Sequence, residues 1–175
     1  IDPNPPRREL DLLLSTGDLV GATPLVSALF RHESTVDVMN RVGLDVGVLG
    51  NHEFDAGPAE LLRLLRGGCA PANSAGAAAA AESCAMGGFE GARFAVVAAN
   101  VHRLDGGGTL LAPHVVREVD GVKLGIVGAV TRGTPWIVTP SGVAGLRFED
   151  EADAINRSVA LLQAQGVRAI DALAH

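Results

Sequence analysis

The sequence predicts an α/β layered fold with a mixed sheet, and three observations carry that expectation. Apolar runs of strand length alternate with segments of helical spacing along most of the chain. Val115 to Val119 and Val122 to Val127 are separated only by Asp120-Gly121, a two-residue signal for a type I′ hairpin. The chain has 175 residues, 47% of them hydrophobic, enough for one domain with a sizeable core.

Leu10 to Leu14 reads as a short buried strand, followed by a loop from Gly17 to Gly21. Thr23-Pro24 matches an N-cap followed by proline at the first helical position, which predicts a helix over Pro24 to Phe30. Ser34 or Thr35 is expected to cap a second helix running to Val42. Its apolar face would carry Val38, Met39 and Val42, and Gly43 would terminate it. Asp45 to Leu49 is the next strand. Gly57-Pro58 then opens a helix whose Leu61, Leu62, Leu64 and Leu65 face the core. From Gly67 to Gly91 the periodicity dissolves into a low-complexity insertion, expected to be a surface loop. Phe94 to Ala98 forms a strand ending at Asn100, and the hairpin follows. Asp150 to Gln165 is a helix closed by Gly166, and Ala169 to Ala174 is a last strand. No internal repeat is evident.

Composition narrows the function classes. A net charge of −6 and the lack of a basic run leave no footprint for a nucleic-acid polymer. No segment reaches the length of a transmembrane helix. Lys123 is the only lysine among 14 basic residues and tyrosine is absent, a bias of the kind a GC-rich genome produces. The chain opens on a loop-like stretch without Met and stops in an apolar strand, so a longer parent protein is expected. No Gly-x-Gly-x-x-Gly follows a strand and no P-loop occurs, which disfavours a Rossmann-like nucleotide binder.

The chemistry gathers at strand ends. Gly50-Asn51-His52-Glu53-Phe54-Asp55 follows the apolar Val46 to Leu49, and Ser15-Thr16-Gly17-Asp18 follows Leu12 to Leu14. An aspartate in the position of Asp18 can bridge two divalent cations, or simply make an Asx-turn or helix cap. Asn51 offers a neutral carbonyl ligand or a turn bond. One turn of chain can bring His52 and Asp55 together. The carboxylate would then fix the imidazole tautomer and keep the ring protonated near neutral pH. Such a histidine can stabilise a phosphoryl transition state or protonate a leaving alkoxide. His32, beside Glu33 at an expected helix end, reads as solvated or as a partner of the helix C-terminal dipole rather than a ligand. His102 and His114 flank a glycine turn and read as exposed, and Asn100 could approach the site from its strand end or equally make a structural turn bond. Asp171 interrupts an apolar strand, where a buried carboxylate would need a partner and one wet face would suffice instead. Cys69 and Cys84 enclose the low-complexity segment and are either two free thiols or a pair.

These motifs resemble the calcineurin-like metallophosphoesterases, and more narrowly the bacterial 5′-nucleotidase and 2′,3′-cyclic-nucleotide phosphodiesterase branch. The Gly50–Asp55 run carries the resemblance. Gly17 to Pro24, Met39 to Gly43, Ala98 to Val101, Gly121 to Gly125 and the segment around Thr134-Pro135 are weaker matches. The resemblance implies a four-layer α/β/β/α sandwich with mixed sheets, and residues 1–175 would be part of that domain. It also implies two divalent metal ions (Mn, Zn, Fe or Mg) about 3.5–4 Å apart that clamp a phosphate and activate a water. Asp18 would be the bridging carboxylate, with Asn51 and His175 as further metal ligands. His52 would be the transition-state histidine and Asp55 its orienting partner.

The implied substrate is a small nucleotide, with nucleotide sugars or sulfur esters as alternatives within the same fold. The implied setting is secreted, periplasmic or cell-surface. There a Cys69–Cys84 disulfide would staple the loop, adding roughly 3 kcal/mol in the chain-entropy model. The family's Asp-x-His and Gly-His-x-His blocks and its C-terminal substrate domain do not occur in this sequence. The chain alone is therefore expected to bind metal weakly and to hydrolyse nothing at a useful rate. Two tight Mn²⁺ sites by isothermal titration would overturn that expectation. A non-catalytic surface or binding module is the reading from another class.

Overall fold

A computed structural model describes residues 12–71, 83–85 and 87–175 of the chain. The mixed α/β architecture contains three small sheets. In the first, β1 (Leu14–Ser15), β2 (Val46–Val48) and β3 (Ala95–Val97) run parallel in that order. In the second, β4 (Val101–Arg103) pairs antiparallel with β7 (Leu146–Phe148). In the third, β5 (His114–Val119) pairs antiparallel with β6 (Val122–Ala129), which pairs parallel with β8 (Ala169–Ala174). Asp120 and Gly121 both adopt positive φ, as a type I′ turn requires.

Two sheets share a core, because Val46, Val48 and Val97 pack with Ile126 and with the partly buried Leu14, Leu124 and Leu173. Outside the first sheet, Val36 of α2 (Glu33–Val42) and Leu64 of α3 (Pro58–Arg66) pack with Phe89 and Phe94. On the third sheet, Ala154 and Leu162 of α5 (Glu151–Ala164) pack with Val127 and Val167. Asp150 caps α5, accepting from the Ala152 and Asp153 N–H groups.

Several expectations change. Residues 10 and 11 of the first expected strand lie outside the described residues, and β1 itself is only Leu14–Ser15. The helix expected over Pro24 to Phe30 is the single turn α1, Leu25–Ala28, with Pro24 at its cap position. The second helix starts at Glu33, one residue ahead of the expected Ser34 cap, and His32 caps it in a left-handed conformation. Val38 and Val42 are exposed; Val36 is the buried valine of α2, with Met39 packed beside the same cluster. The short β4, β7 and α4 (Thr134–Ile137) have no counterpart among the expected elements. They are too brief for apolar periodicity to register.

The surface loop expected over Gly67 to Gly91 is anchored at both ends. Its residues 72–82 and 86 lie outside the described residues. Cys69 is bonded to Cys84, Phe89 is buried, and the Ser83 hydroxyl and Cys84 N–H both donate to the Glu33 carboxylate. Arg63 reaches the same carboxylate at 2.6 Å and lies over the Phe89 ring.

Candidate active site

Parallel pairing of β1 and β2 sets two polar turns side by side at the carboxyl ends of the strands, where α/β sheets gather functional groups. The Gly17 turn leaves β1 and the Gly50 turn leaves β2. Their approach is close: a Cβ on Gly50 would stand 2.1 Å from Asp18 Oδ1, so only glycine fits. The turns are tied together in both directions. The His52 N–H donates to Asp18 Oδ1 at 3.0 Å. The Glu53 carboxylate accepts from the N–H groups of Asp18 (2.9 Å), Leu19 (2.7 Å), Val20 (3.4 Å) and Gly50 (2.6 Å). Burial pushes the Glu53 carboxyl above its usual range, against the pull of the N–H donors. The sequence motif includes Glu53 but does not disclose this role, because its partners are backbone amides up to 35 residues away.

His52 and Asp55 meet on the single 3₁₀ turn His52–Phe54 that follows. His52 Nδ1 lies 2.7 Å from Asp55 Oδ2. That hydrogen bond, aided by the charges of Asp55, Asp18 and Glu53, raises the His52 pKa above 6.5. With Nδ1–H held by the carboxylate, Nε2 is the ring nitrogen left for a ligand. A cleft of about 720 Å³ opens beside the pair, with Gly21, Thr23, Arg31 and His32 also on its wall.

The end of β8 completes the arrangement. His175 is held by backbone hydrogen bonds to Ala129 and Thr131, at the far end of β6. Its Nδ1–H donates to the Thr16 carbonyl at 2.8 Å, and its Nε2 lies 3.1 Å from Asp18 Oδ2. With Nδ1 committed to a carbonyl, Nε2 is the ring nitrogen that faces the Asp18 carboxylate. A histidine whose tautomer is fixed by a carbonyl, with a carboxylate oxygen opposite, suits a metal ligand pair. Asn51 stands at the start of the same turn, and its side chain makes no hydrogen bond among the described residues. The donor types fit a divalent ion held by oxygen and imidazole. They are few: among the described residues no group of three or more His, Cys, Asp or Glu side chains is placed to hold a metal.

Other sequence candidates have structural roles. Asn100 is fully buried and brackets Val130, donating to its carbonyl at 2.6 Å and accepting from its N–H at 3.1 Å. His32 is half-buried at the N-cap of α2: Thr23 and Ser27 hydroxyls lie 3.1 Å from Nδ1, and burial lowers its pKa. His102 and His114 are not freely exposed. His102 pairs with Glu149 at 2.9 Å, and His114 Nδ1 is buried without a partner among the described residues. Asp171 is half-buried on β8, the edge strand of its sheet, so it keeps access to water.

The fold is that of metallophosphoesterase domains: the 5′-nucleotidase precursor of Thermus thermophilus superposes with a TM-score of 0.73 at 32% identity. That match covers 97% of this chain and 28% of that one. The calcineurin-like phosphoesterase YfkN of Bacillus subtilis shares the fold, with a TM-score of 0.69 at 24% identity, covering 94% of this chain and 48% of that one. No family model matches the chain.

Curated relatives agree with the structures. Endonuclease YhcR of Bacillus subtilis is 37% identical over 94% of this chain, and cell wall protein Lmo0130 of Listeria monocytogenes is 38% identical over 93%. The snake venom 5′-nucleotidase of Gloydius brevicauda is 33% identical over 94%. The chain spans 12%, 20% and 24% of those three proteins, respectively. Over about 94% of its length, then, the chain is homologous to the 5′-nucleotidase and calcineurin-like phosphoesterase family, and it corresponds to a part of their chains.

Proposed function

We propose that residues 1–175, with the insertion at about 67–91, are part of a two-metal phosphoesterase domain that hydrolyses nucleotide phosphate esters. The reaction would be of the 5′-nucleotidase or cyclic-nucleotide phosphodiesterase type. The carrying observation is the His52–Asp55 pair, at 2.7 Å, joined through the His52 N–H to the Asp18–His175 pair, at 3.1 Å. Hydrophobic clusters between two of the sheets and on their outer faces support a four-layer α/β/β/α sandwich.

Asp18, Asn51 and His175 would hold the metal, which supplies Lewis acidity and an activated water. Asp55 holds the His52 ring in one tautomer and favours its charged form. His52 then presents Nε2–H to the phosphoryl oxygens or to the leaving oxygen. Thr16 orients His175 through its carbonyl. A net charge of −6 argues for a small nucleotide over a polymer, whatever the wider activity of the endonuclease relative. The cystine and the cell wall relative support an extracytoplasmic setting. Among the described residues no helix is long and apolar enough to cross a membrane.

One observation favours a second reading, a non-catalytic binding module: the metal donors among the described residues are too few for a full shell. Phosphate release from AMP and 2′,3′-cyclic AMP in Mn²⁺ separates the two, measured on the polypeptide that carries this chain with its flanking sequence. Turnover of either ester, lost by about 10²–10⁴-fold in His52→Asn with Mn²⁺ binding kept, supports the enzyme. Undiminished turnover in the variant removes His52 from the mechanism, and no release from either ester favours the module.

A further inference from the structure

The Gly17 turn aims three consecutive N–H groups, of Asp18, Leu19 and Val20, at one point. Such a concave row of amides is an anion nest, the arrangement that elsewhere seizes phosphate. Here the anion comes from within the chain: the nest is filled by the carboxylate of Glu53, which is 8% exposed. Asp18 itself sits at φ 55°, a left-handed conformation uncommon outside glycine, though aspartate adopts it more readily than most residues. The group that takes the N–H donors of this turn is Glu53. The nest is thereby closed to substrate phosphate, and the turn that bears Asp18 is locked to the turn that bears His52.

We propose that Glu53 is a positioning residue, whose carboxylate, seated in the amide nest, sets where the Asp18 carboxylate stands relative to His52 and His175. Its consequence for metal and substrate rests on the phosphoesterase reading, whereas the positioning itself does not. The substitution Glu53→Gln keeps the shape but replaces one acceptor oxygen with an NH₂ group that opposes the N–H donors. Glu53→Asp keeps the charge but falls short of the nest.

Amide hydrogen exchange on wild type and both variants tests this. The decisive reporter is the His52 N–H, because its acceptor is Asp18 and not Glu53. Its exchange is expected to speed up by about tenfold or more in Glu53→Gln, while the Ile126 and Val127 amides of β6 keep their protection. Should Glu53→Gln fail to fold, Glu53→Asp gives the same reading. If the His52 amide is unprotected in wild type, or keeps its protection in the variants, the proposal is overturned. That holds even if the Asp18, Leu19, Val20 and Gly50 amides, bonded to Glu53 directly, are released. Mn²⁺ titration supplies a separate arm, expected to show weaker binding in Glu53→Gln. A wild type that takes no Mn²⁺ counts against the metal reading and leaves the exchange result standing.

Discussion

His32 and His52 share the wall of one cleft, yet their pKa values move in opposite directions. His52 has a carboxylate at hydrogen-bond distance and keeps its proton. His32 meets only hydroxyls at Nδ1, and burial outweighs the attraction of Glu60 and Asp55. As pH falls through about 6.5, the unfolded chain therefore takes up a proton that folded His32 refuses. Its contribution to stability is complete above that value and is lost below it. Because His52 contributes in the opposite sense over the same range, the His32 share is read by difference: in urea unfolding at about pH 8 and pH 5.5, His32→Gln is expected to gain stability relative to wild type at the lower pH. An equal pH response in wild type and variant would assign the pH dependence elsewhere. The motif points to His52 and Asp55 because they lie three residues apart. It cannot point to His32, whose hydroxyl partners meet it only once α1 folds back.

At the scale of elements, the described ends of the segment between α3 and β3 are tied to Glu33. This buried carboxylate at the start of α2 takes hydrogen bonds from Arg63, Ser83 and the Cys84 N–H. The cystine closes a loop with a sequence separation of 15 residues over that network. Replacing Cys69 and Cys84 with serine is expected to lower unfolding free energy by about 3 kcal/mol in the chain-entropy model. Chemical denaturation measures it, and a change under about 1 kcal/mol would mean the Glu33 network holds the loop without the cystine. Glycine and alanine in this stretch predict a surface loop but not its anchors, because composition reports propensity and not anchorage. The anchors are single residues, Glu33 and Phe89, whose partners are distant in sequence. The same limit applies to α2, where helical spacing places Val38 and Val42 inward but the helix is rotated to bury Glu33 and Val36.

For the whole molecule, the meeting of two sheets decides the architecture. Gly128 lies at that junction: a Cβ there would stand 2.4 Å from the Val97 carbonyl and 2.7 Å from a Val48 methyl group. Gly128→Val should push β6 away from β2 and β3 and destabilise by about 1–3 kcal/mol, read as a fall in Tm. An unchanged Tm would show that the sheets are not pressed together at this point. Strands are legible one at a time, from apolar runs and the Asp-Gly turn. Their assignment to sheets is not, since parallel pairing such as β6 with β8 carries no local turn signal.

The Thr16–His175 hydrogen bond spans 159 positions of the sequence. It joins the turn after β1 to the end of β8 at the centre proposed to do the chemistry. The cost of closing a ring grows only slowly with its length, so what this contact requires is that the strands carrying its two ends already stand in place. A half-folded chain can build the His52–Asp55 pair from local residues alone, but it cannot bring the last imidazole to the first strand. Assembly of the centre is in this way a proofreading step: it reports that both sheets have formed and docked.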